Sequence, residues 1–336
     1  MAKTQIRWGI LGAAKIAINK MIPAIHLAKN SQLTAIASRG QEKATQLARD
    51  YALANTFSSY NELLASDTID AVYIPLPTGM HTEWVLKALS AGKHVLCEKP
   101  IGMSSSDIDR IIDAQKSAGL MVAEAFMVAH HPQWEKMREL IESMAIGRLR
   151  YIEGSFSYFN NDPNSYKNNP GLGGGGLRDI GVYPLICARL ATGHDPLRAK
   201  ATLDWDPDFK IDRFARCELD FGEFTLDFYC ATQLAKRQCM TFHGEKGWIR
   251  IPAPFTPLEW GPARVELWQE GQNKLETYEW PGENQYALQV ENFANSVLTR
   301  APFPMSLQNS RTNQSVIDAL FESDKTGQWV TTPANN

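Results

Sequence analysis

A lysine, an aspartate and a tyrosine stand where each could handle protons. Lys99 lies near the end of Val95-Leu96-Cys97-Glu98-Lys99-Pro100, an apolar run that closes on two charges and a proline. Parallel α/β sheets bind ligands outside the carboxyl ends of their strands, so an ammonium there could offset charge on a substrate oxygen. Pro100 fixes the local backbone and allows a cis bond before it. Asp179 and Tyr183 follow the glycine run Gly171-Leu172-Gly173-Gly174-Gly175-Gly176. One helical turn would put both on one face. Consecutive glycines mark close backbone approach or unusual dihedrals. Taken alone, a strand-end lysine is more often surface charge and a glycine run a flexible linker.

A second constellation suits phosphate. Trp8-Gly9-Ile10-Leu11-Gly12-Ala13-Ala14-Lys15-Ile16-Ala17 takes an apolar run into a small-residue turn and then a helix. The dinucleotide fingerprint G-x-G-x-x-G falls on Gly12, Ala14 and Ala17. One glycine is kept, and alanine is still small enough for backbone approach and close helix packing. The helix start, with Gly12, Ala13, Ala14, Lys15 and Ile16, would offer N–H groups and a positive dipole to a pyrophosphate. A tight turn that binds nothing is the plainer reading. The next apolar run ends Ala37-Ser38-Arg39, with Lys43 close by. An acidic residue there would accept from the 2′-hydroxyl of NAD. An arginine suits a 2′-phosphate, which it can bind bidentately. The cofactor expected is NADP(H), with NAD(H) as the alternative.

These residues need elements to hold them. Apolar runs at Ile6–Leu11, Leu33–Ala37, Ala71–Ile74, His94–Cys97 and Leu120–Ala123 fit strands buried on both faces, with helices between them. Ser104 offers an N-cap, Ile108, Ile111 and Ile112 an apolar face, and Gly119 a C-terminal stop. Trp134, Met137, Ile141 and Met144 share the face of a further helix. After Gly147 the period becomes two: Ala215, Cys217, Leu219 and Phe221, then Phe224, Leu226, Phe228 and Cys230, joined by a Gly222-Glu223 hairpin. His243 to Trp248 reads as another reversal. Tyr286, Val290, Phe293 and Val297 mark a late helix. The fold expected is α/β: a Rossmann domain over 1–124, then an α+β domain over 125–336 with a large, mostly antiparallel open sheet. The final helix could return to the first domain.

The 336 residues are 44% hydrophobic and 21% charged, ordinary for a globular chain of two domains. A net charge of −3, with no Lys/Arg-rich run, excludes a polyanion-binding footprint. No apolar stretch is long enough to span a membrane. Five unclustered cysteines argue for reduced thiols, a cytoplasmic setting and no metal site. The adjacent His130 and His131 read as packing or capping residues, since neighbours point apart.

Along almost its whole length the chain resembles the Gfo/Idh/MocA oxidoreductase superfamily. The likeness is carried by Gly9-Ile10-Leu11-Gly12, Ala71 to Pro77, Ala91 to Pro100 with its Glu-Lys-Pro triplet, Glu124-Ala125-Phe126-Met127, and the glycine run with Asp179 and Tyr183. Tyr183, where the wider family often has histidine, resembles the branch of glucose–fructose oxidoreductase, NADP-dependent xylose dehydrogenase and dimeric dihydrodiol dehydrogenase. The resemblance implies Lys99 and Tyr183 as a catalytic pair, with Asp179 orienting substrate or Tyr183. It implies Leu76, Pro77, His81 and Glu98 along the nicotinamide. An ammonium beside a phenol favours the phenolate, so Tyr183 could take a hydroxyl proton as hydride leaves the same carbon. Two departures stand out: Val128-Ala129 where an arginine is usual, and Thr78-Gly79 in place of an asparagine-containing turn. The polar, aromatic stretch from Tyr158 to Asn169 suits a sugar or cyclic diol. Aldose oxidation, anhydro-ketosugar reduction and dihydrodiol oxidation all remain open, as does a non-catalytic NADP-binding regulator. A homodimer or homotetramer through the open sheet is expected.

Overall fold

Strands that are apolar from end to end must be covered on both faces, and the first third of the chain arranges this. The computed structural model describes residues 4–38, 40–51, 53, 55–272 and 274–333, and of residues 41–44 the backbone alone. The chain divides into two compact units, Met1–His130 with Asn284–Arg311, and His131–Glu283 with Thr312–Asn336.

In the first unit β1 (Ile6–Leu11), β2 (Ser31–Ala37), β3 (Asn55–Phe57), β4 (Ala71–Ile74), β5 (His94–Cys97) and β6 (Val122–Glu124) form one parallel sheet in the order β3-β2-β1-β4-β5-β6. Order reversal at β1/β4 is the switch point at which such sheets bind ligands. β3 went unseen in the sequence because its three residues are half-buried at the sheet edge and make no apolar run. The helices between are α1 (Ile22–Leu27), α2 (Gln41–Asp50), α3 (Tyr60–Ala65), α4 (His81–Ser90) and α5 (Ser105–Ala118). Ser104 caps α5 by accepting from Asp107 N–H, Ile108 and Ile111 are buried, and Gly119 ends it at φ +64°. A later helix, Gln285–Thr299, groups with this unit: Phe293 rests against Trp8, ring centroids 5.1 Å apart.

In the second unit α6 (Pro132–Glu142) and α7 (Val182–Thr192) accompany a nine-stranded sheet. Its strands are β7 (Leu149–Phe159), β8 (Arg198–Trp205), β9 (Asp212–Asp220), β10 (Thr225–Ala231), β11 (Gln233–Gly244), β12 (Gly247–Ile251), β13 (Ala263–Gln269), β14 (Leu275–Trp280) and β15 (Val330–Thr331). The order is β14-β13-β12-β11-β7-β10-β9-β8-β15, and every pair is antiparallel except β7–β10. The predicted alternation holds residue by residue: Ala215, Cys217, Leu219, Phe221, Phe224, Leu226, Phe228 and Cys230 are all buried. Gly222, at φ +87°, turns the hairpin between β9 and β10. Gly154 lets α7 approach β7: a Cβ there would lie 3.1 Å from Pro184 Cβ.

The apolar face of α6 needs correction. Trp134, Met137 and Leu140 are buried, whereas Met144 lies beyond the helix at φ 57° and is exposed. The helix ends two residues before the pattern does. The last two helices are α8 (Gln285–Thr299) and α9 (Leu307–Thr326).

His131 caps α6, its Nδ1 accepting from Gln133 N–H at 3.1 Å, while His130 Nδ1 pairs with Asn292 at 2.8 Å. Burial pulls their pKa values from 6.5 down to about 4 and about 3. A depressed histidine adds stability that is whole above its unfolded value and is lost as pH falls through 6.5 toward the folded value. Melting temperature should therefore drop on acidification from about pH 7 to about pH 5, and drop less in His131→Asn, which keeps a capping acceptor but does not titrate. Equal slopes in the two proteins would contradict this.

Candidate active site

Two helices enter through the same irregularity, and both carry candidate site residues. Residues Ala17–Met21, leading into α1, and Leu177–Gly181, leading into α7, are π-helical turns. Each is followed closely by a proline, Pro23 and Pro184, whose ring would collide with the carbonyl four residues back in a regular helix. Widening the preceding turn removes the collision.

In the first unit Gly12 leaves β1 at φ +109°, its N–H donating to Ala37 O at 2.8 Å. A Cβ there would sit 3.2 Å from Leu76 Cδ2, so the turn and the end of β4 close on each other at a position only glycine fits. Ala13 and Ala14 are half-buried, Lys15 is exposed and opens the helix, and Ile16 and buried Ala17 continue it. Ser38 is buried beyond β2, its Oγ accepting from Gly40 N–H. Arg39 and the Lys43 side chain lie outside the described residues. Gly12→Val should weaken NADPH binding at least about tenfold, through strain at positive φ and the clash with Leu76. Unchanged affinity by fluorescence titration would overturn that reading.

Around the end of β5, His81 is buried, with Nε2 2.6 Å from Leu76 O and Nδ1 2.8 Å from Pro100 O. Its polar atoms are thus committed to backbone, bracing the Leu76-Pro77 turn against Pro100. Leu76 is buried and Pro77 half-buried. Tyr73 O–H donates to Glu98 Oε1 at 2.5 Å, and Glu98 Oε2 accepts from Lys99 N–H at 3.3 Å. Lys99 is half-buried and the Lys99–Pro100 bond is cis. Ala129, where an arginine is usual in the resembled family, is half-buried in a short 3-10 turn, Met127–His130.

In the second unit the glycine run has a specific cause. Asp212, at the start of β9, is 1% exposed, and its Oδ2 accepts from Leu177 N–H at 2.5 Å. Gly175, at φ +117°, lies so close that a Cβ would overlap Asp212 Oδ1; one on Gly174 would overlap Lys167 O. Backbone therefore wraps a buried carboxylate that caps the helical segment bearing Asp179 and Tyr183. Burial raises the Asp212 pKa to about 7, against the pull of the backbone N–H groups. Sequence reading missed Asp212, because a lone aspartate before a strand carries no local signal.

Asp179 Oδ2 accepts from Tyr158 O–H at 2.5 Å and Lys167 Nζ at 2.8 Å. Burial, then the Asp179 charge, raises the Tyr158 pKa far above 10, so it remains a donor. Tyr183 is 6% exposed, its ring 5.5 Å from those of Phe156 and Phe255. Lys99 and Tyr183 belong to different units. Among the described residues, no three His, Cys, Asp or Glu side chains form a metal-ligating group.

Residues 6–126 match the Gfo/Idh/MocA oxidoreductase family with an NAD-binding Rossmann fold, and residues 134–250 match the Gfo/Idh/MocA C-terminal domain. The chain belongs to this family. An uncharacterized oxidoreductase of Rhizobium meliloti is 37% identical over 332 residues, spanning 97% of this chain and 99% of its own. The NADP+-dependent D-xylose 1-dehydrogenase 2 of Haloferax volcanii is 32% identical, spanning 96% and 98%. Among solved structures, the 3-ketoreductase KijD10 of Actinomadura kijaniata, in complex with NADP and TDP-benzene, superposes with a TM-score of 0.89 at 30% identity, covering 95% of this chain and 98% of that one. Family membership accounts for the strand order and the mixed sheet alike. It also makes oxidoreductase chemistry the frame in which the site residues are read.

Proposed function

We propose that the chain is an NADP(H)-dependent oxidoreductase acting on a CH–OH carbon of a sugar or cyclic polyol, with Lys99 and Tyr183 as its catalytic pair. Its similarity to NADP-dependent sugar enzymes over nearly the full length of both chains carries this reading. The first unit is the dinucleotide domain and the second the substrate domain.

The residues fit the cofactor. A positive-φ glycine closes the turn after β1, where a side chain would fill the space against Leu76. Gly12 to Ile16 would hold the pyrophosphate, Ser38, Arg39 and Lys43 the 2′-phosphate end, and Leu76, Pro77 and Glu98 the nicotinamide. His81 would act through the turn it braces. When bound, the nicotinamide would supply the hydride acceptor for oxidation of the carbinol carbon and the hydride donor for the reverse reaction. Tyr183 takes the hydroxyl proton during oxidation and gives it back during reduction. Its aromatic walls, Phe156 and Phe255, keep water from competing for that proton. The Lys99 ammonium steadies negative charge on the oxygen as the proton moves. Asp179, fixed by Tyr158 and Lys167, accepts from a neighbouring substrate hydroxyl.

A panel of aldoses, anhydrosugars and cyclic diols, run with NADP+ and NAD+ separately, tests the assignment by absorbance of the reduced nicotinamide. Turnover with NADP+ is expected. A preference for NAD+ would remove the role given to Ser38 and Arg39.

The face of the nine-stranded sheet that bears Tyr151, Arg216, Asp227, Tyr229 and Arg237 holds a depression of about 330 Å³. This face suits packing of sheet on sheet between copies, and a dimer or tetramer is expected by light scattering; a monomeric mass would refute it. No helix among the described residues is long and apolar enough to cross a membrane, and the five cysteines are free. Free thiols fit the reducing, cytoplasmic setting proposed for the chain.

A further inference from the structure

Glu124, the last residue of β6, is paired in register with Cys97 and so lies beside the strand end that leads to Glu98 and Lys99. Its side chain is 2% exposed. One oxygen, Oε1, accepts from Ile101 N–H at 2.9 Å, and the Ser310 side chain from α9 also hydrogen-bonds the carboxyl. The other oxygen, Oε2, is buried without a hydrogen-bond partner. A buried carboxyl left half-satisfied costs stability unless a charge nearby compensates. Lys99 is the cation whose field reaches it, and Glu98 the like charge.

We infer that Glu124 is a positioning residue for Lys99: it anchors the Lys99–Ile101 segment through Ile101 N–H and sets the charge balance around the ammonium. This rests on the catalytic role proposed for Lys99.

The charged and titratable groups that face Glu124 are the buried Cys97 thiol of β5, its register partner, and Glu98 and Lys99 from the segment after β5; Ser310 faces it from α9 as a neutral donor. Tyr73 meets Glu98, not Glu124. Burial raises the Glu124 pKa to about 7, against the pull of Ser310, Ile101 and Lys99. The carboxyl therefore changes charge across neutral pH, and only its ionised form attracts the ammonium.

The test uses the full chain as wild type, Glu124→Gln, Lys99→Ala and the double variant. Glutamine keeps an acceptor for Ile101 N–H and removes the charge. Glu124→Gln should melt within a few degrees of wild type and bind NADPH with unchanged affinity. It should turn over about tenfold more slowly or worse, and lose the rise in activity near pH 7. In a Lys99→Ala background it should cost nothing further. Independently of turnover, the ¹³C carboxyl resonance of Glu124 should titrate near pH 7 in wild type and at higher pH in Lys99→Ala, where the ammonium that favours its ionised form is gone. This arm needs no substitution at 124 and stands even if Glu124→Gln fails to fold. Full activity in Glu124→Gln, additive losses in the double variant, or an unmoved titration would each overturn the inference. If Lys99→Ala is dead and Glu124→Gln fully active, the inference alone fails. If Lys99→Ala is fully active, the proposed mechanism fails and the inference with it.

Discussion

Lys99→Ala should lower turnover about a thousandfold while leaving melting temperature and NADPH affinity close to wild type. The magnitude follows from the role proposed for the ammonium, to steady developing oxyanion charge and support proton transfer, terms worth roughly 10²–10⁴ in rate. Stability should hold because Lys99 is half-buried at a strand end and is no part of the apolar core, and because Glu124, once the ammonium is gone, takes up a proton instead of staying an uncompensated buried charge. Its neighbours keep their own bonds: Glu98 with Tyr73, and Pro100 O with His81. Lys99→Arg should rescue little, since a planar, larger guanidinium does not replace a compact ammonium. Steady-state kinetics beside thermal melts separates the outcomes. A variant with wild-type turnover would remove Lys99 from the chemistry, and one that fails to melt cooperatively would make its role structural.

Gly175→Ala should destabilise the second unit severely and cost activity as well. The position combines a left-handed φ of +117° with a Cβ that would overlap Asp212 Oδ1. Asp212 cannot swing into solvent, because it is 1% exposed and holds Leu177 N–H. Displacing it strands a buried carboxyl and uncaps the segment that carries Asp179 and Tyr183. Strain and lost charge-assisted bonds together should cost about 3–5 kcal/mol. Turnover should fall by more than tenfold even in the folded fraction, because Tyr183 loses its placement. Gly193→Ala is the control: that glycine ends α7 at φ +72° with nothing within 4 Å of a Cβ, so it isolates the dihedral cost, about 1 kcal/mol. Urea unfolding of the two variants gives the comparison. Equal losses would show that the Asp212 contact carries no weight.

What the sequence made legible was whatever depends on short-range periodicity. Strands β1, β4 and β5 appear at the residues their apolar runs mark, Ser104 and Gly119 bound α5, and the alternation through β9 and β10 is complete. Apolar pattern is silent where burial is polar. Helix α9 hides Ser310, Thr312, Asn313, Gln314 and Ser323 along with Val316, Ile317 and Leu320, so its apolar stripe dissolves. Those polar groups find partners far along the chain: Asn313 accepts from Arg189, and Ser323 from Ala201 N–H. The site divides in the same way. Lys99, Asp179 and Tyr183 stand out by their proline or glycine neighbours, and the family resemblance supplies the roles proposed for them. The backbone-holding roles of Asp212 and of Glu124, a residue that the sequence marks only as part of the family likeness, were not legible, since they lie in long-range contacts with Leu177 and Ile101.

The proposed reaction is hydride transfer from a sugar-type carbinol to NADP+ with Tyr183 taking the proton. Its most direct measurement uses panel substrates deuterated at their carbinol carbons, incubated with protein and NADP+, with the nucleotide then weighed by mass spectrometry. NADPH carrying one deuterium is expected with at least one substrate, and no labelled NADPH when Tyr183→Phe is used. Unlabelled nucleotide across the whole panel, from protein that binds NADPH tightly, would contradict it and point to a binding protein that performs no chemistry.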